Sequence, residues 1–405
     1  MNIIYFNNLY KPFGGGGAEL LVSHLAEEMV SRGHQVTVIT TCPPDYLNNV
    51  EGDVINGVRV IRFFPKNLFW VHDDKVRTSI EKIIWHTQDA WNSSAANKCC
   101  QLLSSIKPDV VHTHNIDGFS PSIWNEVTKA GIPLIHTAHD CHQLCVKSTL
   151  LRSSGEICIR APLVCQLYRS WYKRQSSMVD VFCTPSEFTK QLYRLNNFQP
   201  KKFQVVRNGI PHLGSLKNSM VTDEKSKKGV KFLFMGRLET AKGIQTVLDS
   251  FNRLPKDSDV VLNIAGIGNL ESEVLQAAEQ DSRIRYHGYV KGDKKLKLFE
   301  DSDVFIFSSI GYETFGMGVI EAYSLGLPVI ATELSALPEI VSEGVTGFLY
   351  LPGDSIDLFD KMMRFISDPE MISTMKIEAV KLFEQFTVAR MADDYHDIYA
   401  SMGRL

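Results

Sequence analysis

Residues 2–40 read NIIYFNNLYKPFGGGGAELLVSHLAEEMVSRGHQVTVIT, and this stretch decides the fold class. Asn2–Asn7 is a short apolar run of the kind that forms a buried strand. In Ala18–Arg32 the side chains of Leu21, Val22, Leu25, Ala26, Met29 and Val30 recur at helical spacing on one face, and Gly33 ends the helix. Gln35–Thr40 is the next strand. Strand, helix and strand in that order is the unit of a parallel α/β sheet.

Outward from this unit the alternation continues. Strands are expected at Val58–Phe64, Val110–His114, Leu134–Ala138, Val181–Thr184 and Phe203–Val206. The pattern breaks at Asn208-Gly209-Ile210-Pro211, which is turn chemistry. The polar, Lys- and Ser-rich residues that follow complete an interdomain linker over 208–229. Alternation restarts at Val230–Met235 and runs through Val260–Ala265, Ile284–His287, Val304–Phe307, Val329–Ala331 and Gly347–Tyr350. Helical stretches follow at 355–367 and 370–384. The tail 387–400 carries Val388, Met391, Ala392, Tyr395, Ile398 and Tyr399 at helical spacing, a stripe that needs an apolar partner. The reading is two α/β domains, 1–207 and 230–386.

Composition agrees with two globular cores. The chain has 405 residues, 44% of them apolar and 22% charged. Its net charge of −3 (43 basic, 46 acidic) argues against a globally basic nucleic-acid binder. No apolar run reaches the roughly 18 residues a membrane span needs. The segment Met1–Phe6 lacks a basic leader and a cleavage site, so the expectation is a cytoplasmic protein, with attachment to a membrane surface an open alternative. Without an export signal the eight cysteines are read as thiols, not a disulfide framework. Cys141, Cys145, Cys158 and Cys165 cluster in sequence, but only the first two have metal-ligand spacing.

Three loops carry chemistry. Gly14-Gly15-Gly16-Gly17-Ala18-Glu19 joins the first strand to the first helix; lacking Cβ atoms, it lets backbone approach a ligand, and the helix start favours an anion. Gly236-Arg237-Leu238-Glu239-Thr240-Ala241-Lys242-Gly243 follows a strand at the carboxyl edge of a parallel sheet, where ligands bind. Its two cations suit a diphosphate leaving group. Ser308–Ala322 holds Glu313 and Glu321 around Phe315-Gly316-Met317-Gly318, offering carboxylates to sugar hydroxyls and amides to phosphate. The ordinary reading is a helix with acidic first turns, against which the glycines argue.

With these loops in order, the chain resembles the large family-4 retaining glycosyltransferases, which build bacterial polysaccharides, glycolipids and related glycosides. The likeness also rests on Pro108-Asp109-Val110-Val111-His112-Thr113-His114, Thr137-Ala138-His139-Asp140, Thr184-Pro185-Ser186 and Val206-Arg207-Asn208-Gly209, and spans nearly the whole chain. It implies a GT-B fold: two Rossmann-like domains facing a central cleft, the first for the acceptor and the second for a nucleotide-sugar donor, with a last helix (387–405) crossing back to the first domain. It implies that Glu313 contacts the transferred sugar, that Glu321 contacts the ribose, and that Arg237 and Lys242 hold the diphosphate. Gly316, Met317 and Gly318 would add backbone contacts, with Gly236 and Phe315 in the same donor set. Gly16 and Gly17 would face the phosphates from the other domain, Gly266 would approach the base, and His139 would stand beside the reacting sugar.

The implied reaction is substitution with retention at the anomeric carbon, the leaving phosphate taking the acceptor proton. A UDP-sugar is favoured over a GDP-sugar, with no further cofactor and no metal. The acceptor is expected to be a glycan or lipid-linked hydroxyl in surface polysaccharide assembly, such as O-antigen, capsule or exopolysaccharide. Asp257-Ser258-Asp259 and Asp301-Ser302-Asp303 match a metal–diphosphate motif of a different fold; their places beside strand starts favour capping and turn roles. Arg160, Arg169, Lys173 and Arg174 among Tyr168, Trp171 and Tyr172 suit an anionic membrane surface, or else an ordinary amphipathic helix. The rival functions are a nucleotide-sugar epimerase of the same fold, a phosphorylase, for which no pyridoxal-lysine motif is seen, and a non-catalytic scaffold, whose donor residues would be eroded.

Overall fold

The computed structural model describes residues 1–14, 16–46, 52–73, 75–152, 155–214 and 229–402. The chain forms two compact units. The first comprises Met1–Ser148, Ala161–Gly209 and Val388–Leu405, and the second Thr149–Arg160 and Ile210–Thr387. Most of the linker expected at 208–229 lies outside the described residues.

In the first unit the elements are β1 (Asn2–Phe6), α1 (Gly17–Ser31), β2 (Gln35–Thr41), β3 (Asp53–Ile55), β4 (Val58–Phe63), α2 (Ser79–Ala90), α3 (Ser93–Ile106), β5 (Val110–Thr113), α4 (Ser122–Lys129), β6 (Leu134–Thr137), α5 (Leu163–Gln175), β7 (Val181–Thr184), α6 (Glu187–Leu195) and β8 (Lys202–Val205). The sheet order is β3-β4-β2-β1-β5-β6-β7-β8, parallel except for the β3–β4 pair. Strand β1 is central, with Ile3 in register with Val36 on one side and Val110 on the other. Ile3, Ile4 and Tyr5 are fully buried, as expected of a parallel strand covered on both faces. Connections run from β1 to β2 one way and on to β5 the other, so the β1/β5 boundary is the point where strand order reverses.

Strand β3 is absent from the sequence reading. It pairs antiparallel with β4 through Asn56-Gly57, whose φ values of 51° and 81° make a two-residue hairpin turn. Asn-Gly between apolar residues is a strong hairpin signal, so this element was legible and was missed.

The second unit contains β9 (Val230–Met235), α7 (Ile244–Arg253), β10 (Val260–Ala265), α8 (Glu271–Gln280), β11 (Ile284–Tyr286), α9 (Asp293–Glu300), β12 (Val304–Phe307), α10 (Met317–Ser324), β13 (Val329–Thr332), β14 (Gly347–Tyr350), α11 (Ser355–Ser367) and α12 (Glu370–Phe383). Its six strands are all parallel in the order β11-β10-β9-β12-β13-β14, the doubly wound arrangement of a dinucleotide fold. Phe232 and Phe234 of β9, Leu262 and Ile264 of β10, and Val304 and Ile306 of β12 form the core with Val247 and Phe251 of α7. Here order reverses between β9 and β12.

The units part at Gly209/Ile210, beside the expected boundary at 207, but the described residues of 149–160, expected in the first domain, cluster with the second unit. This segment bridges Leu151 to Ile157 and sets Leu151 beside Gly311 and Gly155 beside Thr240, contacts that belong to the second unit. The last helix, α13 (Val388–Met402), packs against α1 in the first unit. Met391, Ala392, Tyr395, Ile398 and Tyr399 of the stripe are buried there, and Tyr399 Oη meets His112 Nδ1 at 2.7 Å and Tyr5 Oη at 3.2 Å. Among the described residues no helix is long and apolar enough to cross a membrane.

Candidate active site

In the second unit the loops that leave β9 and β12 meet where strand order reverses. The β9 loop turns through a single 3-10 turn, Thr240–Lys242, and enters α7 at Gly243. Gly243 has φ +69°, and a Cβ there would stand 1.9 Å from the carbonyl oxygen of Ser308. Only glycine lets the two loops lie this close. Ser308 Oγ then donates to the Lys242 carbonyl at 2.8 Å, fastening one loop to the other. Gly266, after β10, meets the same demand: a Cβ would fall 1.8 Å from the carbonyl oxygen of Gly236.

This packing sets the side chains. Lys242 Nζ donates to Glu313 Oε1 at 2.5 Å, and Ser309 Oγ donates to the same oxygen at 2.6 Å. Ser335 Oγ accepts the Glu313 backbone N–H at 3.0 Å. Arg237 is the exposed cation of the pair, resting on Glu239 at 3.1 Å with 65% of its side chain accessible. Such a surface pair holds weakly, so the guanidinium is available to an anion. Glu321, on α10, accepts from Lys295 Nζ of α9 at 2.6 Å.

A cavity of about 540 Å³ opens at this carboxyl edge. Of the residues expected to bind the donor, Gly236, Arg237, Lys242, Gly266, Gly318 and Glu321 line it. Phe299, Phe305 and Phe307 supply an apolar wall, and Lys242 Nζ stands 5.9 Å from the centre of the Phe307 ring. Glu313 joins the group through Lys242. Phe315 does not bring its ring: the side chain is buried against Phe386, leaving only backbone at this edge. Gly316 precedes α10 and Met317 opens it. The sequence reading missed Lys291 and Lys295, which also line the cavity. They lie in Lys291-Gly292-Asp293-Lys294-Lys295, and their position just after β11 was the available signal.

The remaining expected residues belong to the first unit. Gly16 and Gly17 are exposed at the start of α1, while Gly15 lies outside the described residues. His139 follows β6, with Nε2 3.0 Å from His114 Nδ1 and the two rings stacked. Burial lowers its pKa to about 4, so the ring is neutral near pH 7. His112, His114 and His136 beside it are held neutral by the same cause.

Both Asp-x-Asp stretches sit at the opposite edge of the second sheet, before β10 and β12. Asp303 Oδ2 accepts from the Lys231 backbone at the start of β9. A six-residue strand separates that edge from the cavity by about 20 Å. Among the described residues, which include all eight cysteines, no disulfide forms and no three His, Cys, Asp or Glu side chains converge as a metal would need. Helix α5 turns its aromatic side chains inward. Trp171 Nε1 donates to the Ala90 carbonyl, Tyr168 and Tyr172 meet His142, and Arg169 is held by Leu144 and Asn196. The apolar residues this helix exposes are Leu163, Val164 and Leu167, beside exposed Gln166, Ser170 and Arg174.

Comparison with known proteins follows the division into units. Residues 15–212 match the Glycosyltransferase Family 4 model, and residues 217–381 match Glycosyl transferases group 1. A 42.6 kDa protein of the cps region of Klebsiella pneumoniae is 28% identical over 342 residues, covering 84% of this chain and 87% of that one. Among solved structures, Anabaena HepE in complex with UDP superposes with a TM-score of 0.73 at 18% identity, covering 99% of this chain and all (100%) of that one. Sucrose-phosphate synthase from Thermosynechococcus elongatus gives 0.74 at 18% identity, covering 99% and 98%. The two α/β units therefore have the GT-B fold.

Proposed function

Because the chain belongs to the family-4 glycosyltransferases, we propose that it is a retaining, metal-independent hexosyltransferase moving a sugar from a nucleotide diphosphate, UDP in the first instance, to a hydroxyl of a glycan or lipid-linked acceptor. The observation that carries this reading is the cavity at the β9/β12 switch point, where Arg237 and Lys242 stand with Glu321 and with Glu313 on Lys242. Two cations at a sheet's carboxyl edge suit a leaving diphosphate, and two carboxylates suit the hydroxyls of ribose and sugar. Glu313 bonded to Lys242 couples the sugar end of the site to the phosphate end.

In the reaction, the C1–O bond to the phosphate breaks and a C1–O bond to the acceptor forms on the same face. The acceptor's proton passes to the departing phosphate oxygen, so no strong protein base is needed. His139, neutral at pH 7, orients the reacting sugar by hydrogen bonding. The charge that a metal would carry in other folds falls to Arg237 and Lys242. Turnover is therefore expected to survive excess chelator; activity abolished by EDTA and restored by magnesium would refute the metal-independent mechanism.

Assembly of a surface polysaccharide is the proposed setting, supported by the relative from a cps region, and a cytoplasmic site on the inner face of the membrane follows from it. The deciding experiment is thermal unfolding with UDP, GDP, ADP or CMP, repeated in Lys242→Ala. A nucleotide at about 100 times its Kd stabilises by about 2.7 kcal/mol. A shift with one nucleotide, lost in the variant, supports the reading; no shift with any of them removes it.

A further inference from the structure

The first sheet has a switch point of its own, between β1 and β5, and the polar groups there have no part in the donor site. Asn8 follows β1, Asp117 follows β5, and His142 follows β6. Asn8 Nδ2 donates to Asp117 Oδ2 at 3.2 Å, tying together the loops on either side of the reversal. His142 Nδ1 faces Asp117 Oδ1 at 3.3 Å, and its Nε2 meets the hydroxyls of Tyr168 and Tyr172. Asn8 is only 3% exposed, yet among the described residues its Oδ1 has no hydrogen-bond partner. A buried amide oxygen in that condition costs free energy until a donor reaches it. Asp117 keeps 23% of its side chain accessible, so the pair opens outward through the carboxylate.

The chemistry of the pair is one-sided. A carboxylate and an amide oxygen accept hydrogen bonds and offer none in return. Among the described residues neither lysine nor arginine pairs with Asp117. The titratable neighbours facing it are the carboxyl groups of Asp89 and Asp140 and the imidazoles of His142, His72 and His86; burial raises both carboxyl pKa values, that of Asp89 to about 7 with Asp117 adding to the effect, and lowers those of His72 and His86. A phosphate or carboxylate arriving here would meet the Asp117 carboxylate as an acceptor and a like charge. Adjacent sugar hydroxyls would meet what they need.

We propose that Asn8 and Asp117 form the sugar-recognition site for the acceptor, and that its recognised end is an uncharged sugar whose neighbouring hydroxyls donate to the Asp117 carboxylate and to Asn8 Oδ1. The proposal rests on the transferase reading and deepens it by naming the acceptor class.

The test is saturation-transfer NMR on the full chain with UDP present. The probes are the methyl glycosides of glucose, galactose, mannose and N-acetylglucosamine, each beside its 6-phosphate. At least one neutral glycoside is expected to bind saturably, and its 6-phosphate at least about tenfold more weakly. Asp117→Asn should weaken that binding roughly tenfold to a hundredfold, as loss of a hydrogen bond to a charged group does. Asn8→Ser should act in the same direction. Equal or tighter binding of the phosphates, no binding by any neutral glycoside, or unchanged affinity in a folded Asp117→Asn chain would overturn the proposal. If neither variant folds, the neutral-against-phosphate comparison in the parent chain still decides. UDP binding in the same samples keeps the two readings apart: its absence from the parent chain sinks the transferase reading, whereas a failed acceptor preference with UDP bound sinks this inference alone.

Discussion

Lys242 holds three relationships at once: a bond to Glu313, a carbonyl that accepts from Ser308, and a place on the cavity wall. Removing one stabiliser of developing negative charge costs roughly 10²–10³ in rate. Arg237→Ala and Lys242→Ala are each expected to lower kcat by that order in a donor-saturated assay, and near-normal turnover in either would remove that residue from the mechanism. Lys242→Ala leaves the carbonyl contact with Ser308 in place and removes one of the two donors to Glu313 Oε1, the other being Ser309 Oγ. Arg237, with its exposed partner Glu239, should leave the melting temperature in place. These residues were legible because cation, glycine and carboxylate spacing is itself the signal. Lys295 was less so: its place after β11 was a signal for the sheet edge, but lysines in Lys291-Gly292-Asp293-Lys294-Lys295 look the same in sequence whether they face solvent or Glu321. Asn8 and Asp117 gave even less: each is one polar residue after a strand, and only the sheet's closure brings them together.

At the scale of elements, most strands of both sheets were readable, because buried parallel strands are apolar runs between turn signals. Helices α2 and α3 were not read. On α2 the apolar residues Ile80, Ile83 and Ile84 point outward, and Asp89 is buried with Trp85, so the periodicity is inverted. Its start is set instead by a reciprocal cap between Thr78 and Glu81, and that of α3 by Asn92. Helix α5 shows the same lesson. Its aromatic side chains serve the interior, and its exposed residues are Leu163, Val164 and Leu167, exposed by 70, 72 and 64%, together with Gln166, Ser170 and Arg174. A hold on an anionic membrane is expected to use these apolar residues together with exposed Arg174 at the other end of the helix. Replacing all three apolar residues by serine is expected to reduce flotation with anionic liposomes several-fold while the melting temperature stays the same. Undiminished flotation would exclude this helix as the contact.

Over the whole molecule, the histidines set a pH dependence. His112, His114 and His136 lie below their ordinary 6.5 because they are buried. Below that pH the unfolded chain takes up protons that the folded chain refuses, so stability falls as pH drops, by up to about 1.4 kcal/mol per pH unit for each group. His139 adds to this, its pKa lowered to about 4 by the same cause. Asp89 and Asp140 oppose them: Asp89, raised from 3.8 to about 7, keeps its proton in the folded chain across that window and adds stability as pH falls, and burial raises Asp140 in the same direction. The lowered histidines, His72 and His86 among them, outnumber the raised carboxyl groups, so calorimetry should show the melting temperature declining from pH 6.5 to 5, and a level or rising profile would contradict the assignment.

The return of α13 to the first unit also orders events during synthesis. Tyr395 and Tyr399 complete the polar core around His112 and Thr137, yet the ribosome makes them only after the entire second unit. A nascent chain paused near residue 387 would hold β1 and β5 with that core still open. The second unit, whose segments 149–160 and 210–387 are already joined by then, can close first. The half of the protein that is translated first is therefore the half that finishes folding last.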